Sequence, residues 1–291
     1  MPDIEVYREA LESRLVGHRL KSLKLANPFV LRSVSPEPSA LEGRQVIGAR
    51  RIGKRLVLAF EGGVFAVIHL MVAGRLRWLL PGGKPPGRIA LATFEFDQGT
   101  LVLTEAGTKR RASIHLVEGE AALAALDPGG LDVISSDRKA FAERLLVGNH
   151  GVKRALTDPR LFSGIGNAYS DEILHRARLS PFKPTRTLAD AEVEALHIAA
   201  GAVLKEWTQR LRSQAGTGFP EKVTAFRPEM AVHGRHGKPC PDCGAPVQRI
   251  VYADNETNYC AHCQTGGRIL ADRALSRLLH DSWPRSLDEL D

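Results

Sequence analysis

Cysteine is scarce in this chain: four residues among 291, all between Cys240 and Cys263. Such clustering excludes a disulfide framework spread through the fold, and in a reducing compartment it argues against structural disulfides altogether. No apolar run reaches the ~20 residues that a membrane-spanning helix needs. The opening stretch MPDIEVYREALESRL is acidic and amphipathic, without the basic start and apolar run of a secretory signal. Internal repeats and low-complexity tracts are also lacking. A soluble, cytosolic protein with no membrane partner is therefore expected. Charge of one sign is only mildly in excess, with 40 Lys and Arg against 33 Asp and Glu and a formal net charge of +7. That balance favours a polyanionic partner without naming one.

What is present suffices for more than one core, since 43% of the residues are hydrophobic. Ile4, Tyr7, Leu11 and Leu15 recur at helical spacing, so a short helix follows the N-terminus. From Leu20 to Leu116 the pattern turns to strands. LVLAF and VFAVIHL flank Glu61-Gly62-Gly63, ATFEF and TLVLT flank Asp97-Gln98-Gly99, and both read as hairpins with a loop from Pro81 to Gly87 between them. Helical patterns then follow at 119–126, 137–147, 152–157, 168–178 and 188–213, punctuated by Asp127-Pro128-Gly129-Gly130, Asp158-Pro159 and Gly164-Ile165-Gly166-Asn167. Residues 214–228 read as a mobile loop, 234–267 as a cysteine module and 268–280 as a last amphipathic helix. The expected fold is multidomain α+β. A β-sandwich with a flanking helix spans 1–125, a helical domain 126–228, a zinc-ribbon hairpin 229–267 and a helical extension 268–291.

Cys240-Pro-Asp-Cys243 and Cys260-Ala-His-Cys263 are two C-x2-C pairs separated by sixteen residues. Each pair turns two sulfurs towards one point from a tight knuckle, which suits tetrahedral Zn²⁺. Four cysteines leave no open coordination position, so one structural zinc is expected. The stretch between the pairs reads as a hairpin with its tip at Asp254-Asn255-Glu256. Basic residues gather at Arg50, Arg51, Lys54 and Arg55 around Gly53, and again at Lys109-Arg110-Arg111. Either cluster suits phosphate contact, and either taken alone reads more readily as a solvated basic loop. Gly164-Ile165-Gly166-Asn167 opens a helix whose free N–H groups suit an anion, or it is simply a packing joint between helices.

Four motifs together resemble the formamidopyrimidine-DNA glycosylase/endonuclease VIII family, over a span from Met1 to about Gln264. They are the N-terminus Met1-Pro2-Asp3-Ile4-Glu5-Val6, the segments from Arg51 and from His69 to Arg75, the stretch Leu156 to Ala177 with GIGNAYSDEIL, and Cys240 to Gln264. The resemblance implies a bilobal helix–two-turn–helix enzyme, a monomer, that clamps damaged or abasic double-stranded DNA and flips the lesion out of the stack. It implies a DNA glycosylase and AP lyase of base excision repair, acting on oxidised or ring-opened bases such as formamidopyrimidine or 8-oxoguanine. In that scheme Pro2, freed of Met1, is the nucleophile, with Asp3, Glu5 and Lys54 as its catalytic companions. Arg51, His69, Met71, Val72, Arg110, Arg111, Lys153, Asn167, Glu172 and Asn255 fall at DNA-contacting or site-supporting positions of the motifs.

Several positions depart from the family pattern. Asp3 stands where the family usually has glutamate, and the N-terminal motif is one residue short before Glu5. Val72 aligns with the wedging methionine, beside Met71. Ala112 follows Arg110-Arg111 where an aromatic residue is expected, and Asn255 replaces the phosphate-gripping arginine of the zinc hairpin. These departures leave two further readings open: a damaged-DNA-binding protein with weak chemistry, or an AP lyase with little glycosylase activity.

Overall fold

The computed structural model describes residues 2–107, 109–221, 227–252, 255–271 and 284–289. The chain divides into two compact units, one of residues 1–128 and 207–223, the other of residues 129–206 and 224–291.

The first unit opens on helix α1, Pro2–Leu15, which buries Pro2, Ile4, Val6, Tyr7, Ala10, Leu11 and Leu15 on one side. Helical periodicity of apolar residues creates that face, and Pro at the first position suits it because its missing N–H would have no partner there. Eight strands follow: β1 (Ser22–Leu25), β2 (Val46–Ile52), β3 (Arg55–Phe60), β4 (Val64–His69), β5 (Gly74–Leu79), β6 (Ala90–Phe96), β7 (Gly99–Glu105) and β8 (Ser113–Glu118). They form two antiparallel four-stranded sheets, ordered β1-β6-β7-β5 and β2-β3-β4-β8. Leu56, Leu58, Phe60, Ala66 and Ile68 of one sheet meet Leu91, Phe94, Leu101 and Leu103 of the other in a single core with Tyr7, Leu11 and Leu15. This is the expected sandwich with a flanking helix. Both expected hairpins form, as β3–β4 and β6–β7.

Strand β3 is buried on both faces. Its outward residues Val57 and Ala59 join Phe65, Val67 and Leu123 in a smaller cluster, because helix α2 (Glu120–Ala124) lies over that side of the sheet. A strand covered on both sides reads as a near-continuous apolar run, as LVLAF does.

The second unit carries α3 (Arg138–Leu145), α4 (Val152–Thr157), α5 (Asn167–Arg176) and the first part of α6 (Asp190–Ala215). Asp137 caps α3 by accepting from the Ala140 amide. The ribbon hairpin pairs β9 (Val247–Tyr252) with β10 (Asn255–Cys260), and α7 (Ala261–Thr265) follows. Two expectations are corrected here. Asn255 pairs with Tyr252, so Asn255 and Glu256 belong to strand β10 rather than to the hairpin tip. Residues 268–271 are not helical. Arg268 instead bridges to Ser286, and Leu270 and Leu287 pack with Ile250, Tyr259 and Ala261 of the zinc module. The rest of the predicted last helix, residues 222–226 of the predicted mobile loop, and Asp254 lie outside the described residues. No described helix is long and apolar enough to cross a membrane.

Candidate nucleic-acid site and metal centre

In the first unit, the expected catalytic residues sit on one helix and one turn. Pro2 is buried at the start of α1 and Asp3 is half-buried beside it. Glu5 accepts from two arginines: Arg8 Nε reaches its Oε1 at 2.7 Å, and Arg51 Nε reaches its Oε2 at 3.1 Å. The Arg51 contact fastens α1 to β2. Ile52 pairs with Arg55, leaving Gly53 and Lys54 as a two-residue turn, and Gly53 supplies the positive φ (57°) that such a turn requires. Burial pushes the Lys54 amine below the ordinary lysine range, which makes it easier to deprotonate.

Tyr7, fully buried on the same helix, donates from its hydroxyl to the Leu76 carbonyl at 3.4 Å and accepts from the Leu76 amide at 3.2 Å. Burial raises its pKa to about 12, while charges at Arg75, Asp3 and Glu221 also act on it. Phe219 packs over the Tyr7 ring with centroids 5.7 Å apart. Glu221, two residues further on, is therefore brought towards the α1 face that carries Asp3. The sequence held no motif around Glu221; the Phe219 contact and the action of its charge on Tyr7 reveal its place.

The expected wedge residues lie in the turn between β4 and β5. Met71 has positive φ (55°), and Met71 and Val72 are 43% and 78% exposed. Gly74 is obligatory, because a Cβ there would lie 2.2 Å from the Leu70 carbonyl oxygen. Arg75 braces the turn from inside by donating to Val72 O at 3.0 Å and Gly74 O at 2.6 Å. His69, at the end of β4, has its pKa lowered to about 4, chiefly by burial and then by Arg55, Lys54 and His115. It is thus a neutral ring at neutral pH. Arg110 and Arg111 are exposed on a loop held by buried Glu105, which accepts from the Arg111 and Ala112 amides at 2.9 and 3.0 Å. Ala112 is not a surface wedge. It is buried in the sandwich core, where a small side chain fits.

In the second unit, Lys153, Asn167 and Glu172 converge on the ribbon. Lys153 was expected at a phosphate-facing surface; the structure buries it (4% exposed) in an ion pair with Asp171. An ammonium removed from water is held by a charged partner for the reason that an unpaired one would cost several kcal/mol. Lys153 Nζ and Asn167 Nδ2 both donate to the Glu256 carbonyl, at 3.1 and 2.9 Å. Asp171 also accepts from His233 Nδ1 at 2.8 Å and from the Asn258 amide at 3.2 Å. Glu172 accepts the backbone amides of Ala231, Val232 and His233 at 2.7, 2.9 and 2.9 Å, so it anchors the segment leading into the zinc module. Asn255 is exposed on β10.

The four cysteine sulfurs lie within 4.8 Å of one another, with Cys240–Cys263 at 3.9 Å and Cys243–Cys260 at 3.4 Å, and no disulfide joins them. Sulfurs about 2.3 Å from a tetrahedral zinc stand roughly 3.8 Å apart, so this donor set fits one structural zinc. Gln264 ties the knuckle to the helical domain, accepting from the Cys260 amide at 2.8 Å and donating to Leu179 O at 2.9 Å.

Comparison with known proteins bears on all three regions. Residues 1–113 match the formamidopyrimidine-DNA glycosylase N-terminal domain, 130–216 the H2TH domain of the same enzyme, and 237–266 the zinc finger found in FPG and IleRS. The formamidopyrimidine-DNA glycosylase of Thermus thermophilus is 34% identical over 281 residues, covering 92% of this chain and 98% of that protein. An uncharacterized formamidopyrimidine-DNA glycosylase-like protein of Mycobacterium tuberculosis is 44% identical over 156 residues, 53% of this chain and 94% of its own length. Among solved structures, Lactococcus lactis Fpg in complex with DNA containing an abasic site superimposes with a TM-score of 0.81 at 26% identity, covering 91% of this chain and 99% of that one. The match of three successive domains, and of nearly the whole length of a curated glycosylase, places this chain in the formamidopyrimidine-DNA glycosylase family.

Proposed function

We propose that the chain is a bifunctional DNA glycosylase and AP lyase that removes oxidised or ring-opened bases, formamidopyrimidine or 8-oxoguanine among them, from double-stranded DNA. The observation that carries this reading is the start of α1 at Pro2, with Asp3 in the same turn and Glu5 fixed between Arg8 and Arg51. Removal of Met1 leaves a secondary amine at the positive end of a helix. A terminal amine has an ordinary pKa of roughly 8, and the helix dipole disfavours its protonated form further. The unprotonated Pro2 nitrogen attacks C1′ of the damaged nucleotide as the C1′–N bond to the base breaks, and Asp3 supplies the proton that the departing base takes up. The nitrogen then gives up its proton, the C1′–O4′ bond breaks with O4′ taking up a proton, and the opened sugar is left as a C1′=N⁺ iminium. That iminium draws in the C2′–H electrons as the C2′ proton is lost, and the 3′ phosphate leaves from C3′. Lys54, with its lowered proton affinity, is suited to stand by a phosphate and exchange protons. The zinc supplies structure, holding the ribbon that receives Lys153, Asn167 and Glu172.

Asp3 and the burial of Ala112 favour a second reading, a damage-binding protein with weak chemistry. Borohydride trapping on duplexes bearing an abasic site, an oxidised purine or an oxidised pyrimidine separates the two. Mature protein is expected to give a covalent adduct with the abasic duplex, and Pro2→Gly to lose it. Asp3→Glu, restoring the longer carboxylate, is expected to raise base excision at least several-fold while leaving abasic cleavage unchanged. Tight binding without an adduct on any duplex would overturn the enzyme reading in favour of the second.

A further inference from the structure

Helix α5 faces the ribbon with Asp171, Glu172 and, one turn on, His175. The first two hold backbone and side-chain groups of the ribbon segment; the third reaches the metal centre itself. His175 is 4% exposed, and its Nε2 lies 3.2 Å from Cys240 Sγ. Asp242, inside the first knuckle, stands 3.9 Å from the same nitrogen. A zinc-bound cysteine is a thiolate, which accepts hydrogen bonds and donates none. A ring nitrogen at that distance must therefore carry the hydrogen.

We propose that His175 is an outer member of the zinc centre: its Nε2–H donates to the Cys240 thiolate and locks α5 of the helical domain to the metal. The physical gain is electrostatic. Four thiolates around one Zn²⁺ leave two net negative charges in a partly buried knuckle, and an N–H donor withdraws charge from one sulfur. Cys240 is the buried sulfur of its pair while Cys243 is exposed to water. Water can serve the exposed thiolate, and a protein donor has to serve the buried one. Gln264 fixes the opposite knuckle through backbone groups, so the two knuckles are tied to the helical domain by different chemistry. His175 is not a fifth ligand in this assignment, although its ring, Asp242 and Cys263 lie close enough together to form a ligand set of their own.

The test uses the full-length protein loaded with Co²⁺ or Zn²⁺, in the parent, His175→Phe and His175→Gln forms. Phe keeps the ring volume without a donor, and Gln restores an N–H at about the same reach. All three are expected to show the absorption intensity of a four-thiolate Co²⁺ site. In His175→Phe the sulfur-to-cobalt charge-transfer band should move to lower energy, and zinc should pass to a competing chelator with an affinity loss of about 10- to 100-fold. His175→Gln should return part of the way on both measures. An unchanged band and unchanged zinc affinity in His175→Phe would overturn the proposal. So would a three-thiolate intensity in the parent, which would make the imidazole a ligand. If His175→Phe fails to fold by far-ultraviolet circular dichroism, His175→Ala takes its place: a fall in zinc affinity there that His175→Gln recovers in part supports the donor role, and parent-like affinity in His175→Ala overturns it.

Discussion

His69 illustrates how a residue's neighbours set its chemistry. Its ring is expected to titrate near 4 rather than 6.5, because burial and the cations Arg55 and Lys54 oppose protonation. The folded state therefore binds fewer protons than the unfolded chain between about 4 and 6.5. Stability contributed by this residue is complete above 6.5 and is lost as pH falls through that window. Imidazole NMR titration checks the point, and a midpoint at or above 6.5 would contradict it. At neutral pH the ring carries no charge, so the positive charge beside it is that of Lys54 and Arg55. None of this was legible in the sequence, where His69 was only the first letter of a motif. Lys153 shows the same limit from the other side. A lysine in a helix beside a glycine turn reads as a surface cation, and only the packed Asp171 shows that it faces inwards.

At the scale of elements the sequence was far more informative. The helices α1 to α6 and the hairpins β3–β4 and β6–β7 were legible, since each has an apolar period of its own and a turn signal at its end. The misplaced hairpin tip has a simple cause: where the second strand begins is fixed by cross-strand register, and register is a property of two strands together. The start of the predicted final helix failed for a related reason, because Ile269 and Leu270 are apolar in order to cover Tyr259 rather than to line a helix. The β4–β5 turn provides the element-scale prediction. Gly74→Ala would drive a methyl group to 2.2 Å from Leu70 O, so backbone must shift. A loss of roughly 1–3 kcal/mol in urea unfolding is expected. A loss below about 0.5 kcal/mol would show that the turn relaxes freely.

For the whole molecule, the two compact units have separate cores and only one contains the metal centre. Structural zinc in small ribbons contributes on the order of 10 kcal/mol to folding. Stripping it should therefore unfold the β9–β10 hairpin and release the anchors at Lys153, Asn167 and Glu172, while the sandwich core, which includes no cysteine, is untouched. Calorimetry with and without chelator should show one transition falling and the other holding its temperature. A common shift of all transitions would contradict this division.

The turn that bears Met71 and Val72 takes its shape from the positive φ of Met71 and from its neighbours, not from the Val72 side chain. Gly74 admits the close approach of Leu70 O, Arg75 holds the carbonyls, and Val72 stands out into solvent. Such a turn is a socket: the frame persists whatever side chain is mounted at position 72. On the proposed reading, the side chain that meets the DNA stack can be exchanged at position 72 with little cost to the fold, and the preference of the enzyme for what lies opposite a lesion becomes editable one codon at a time.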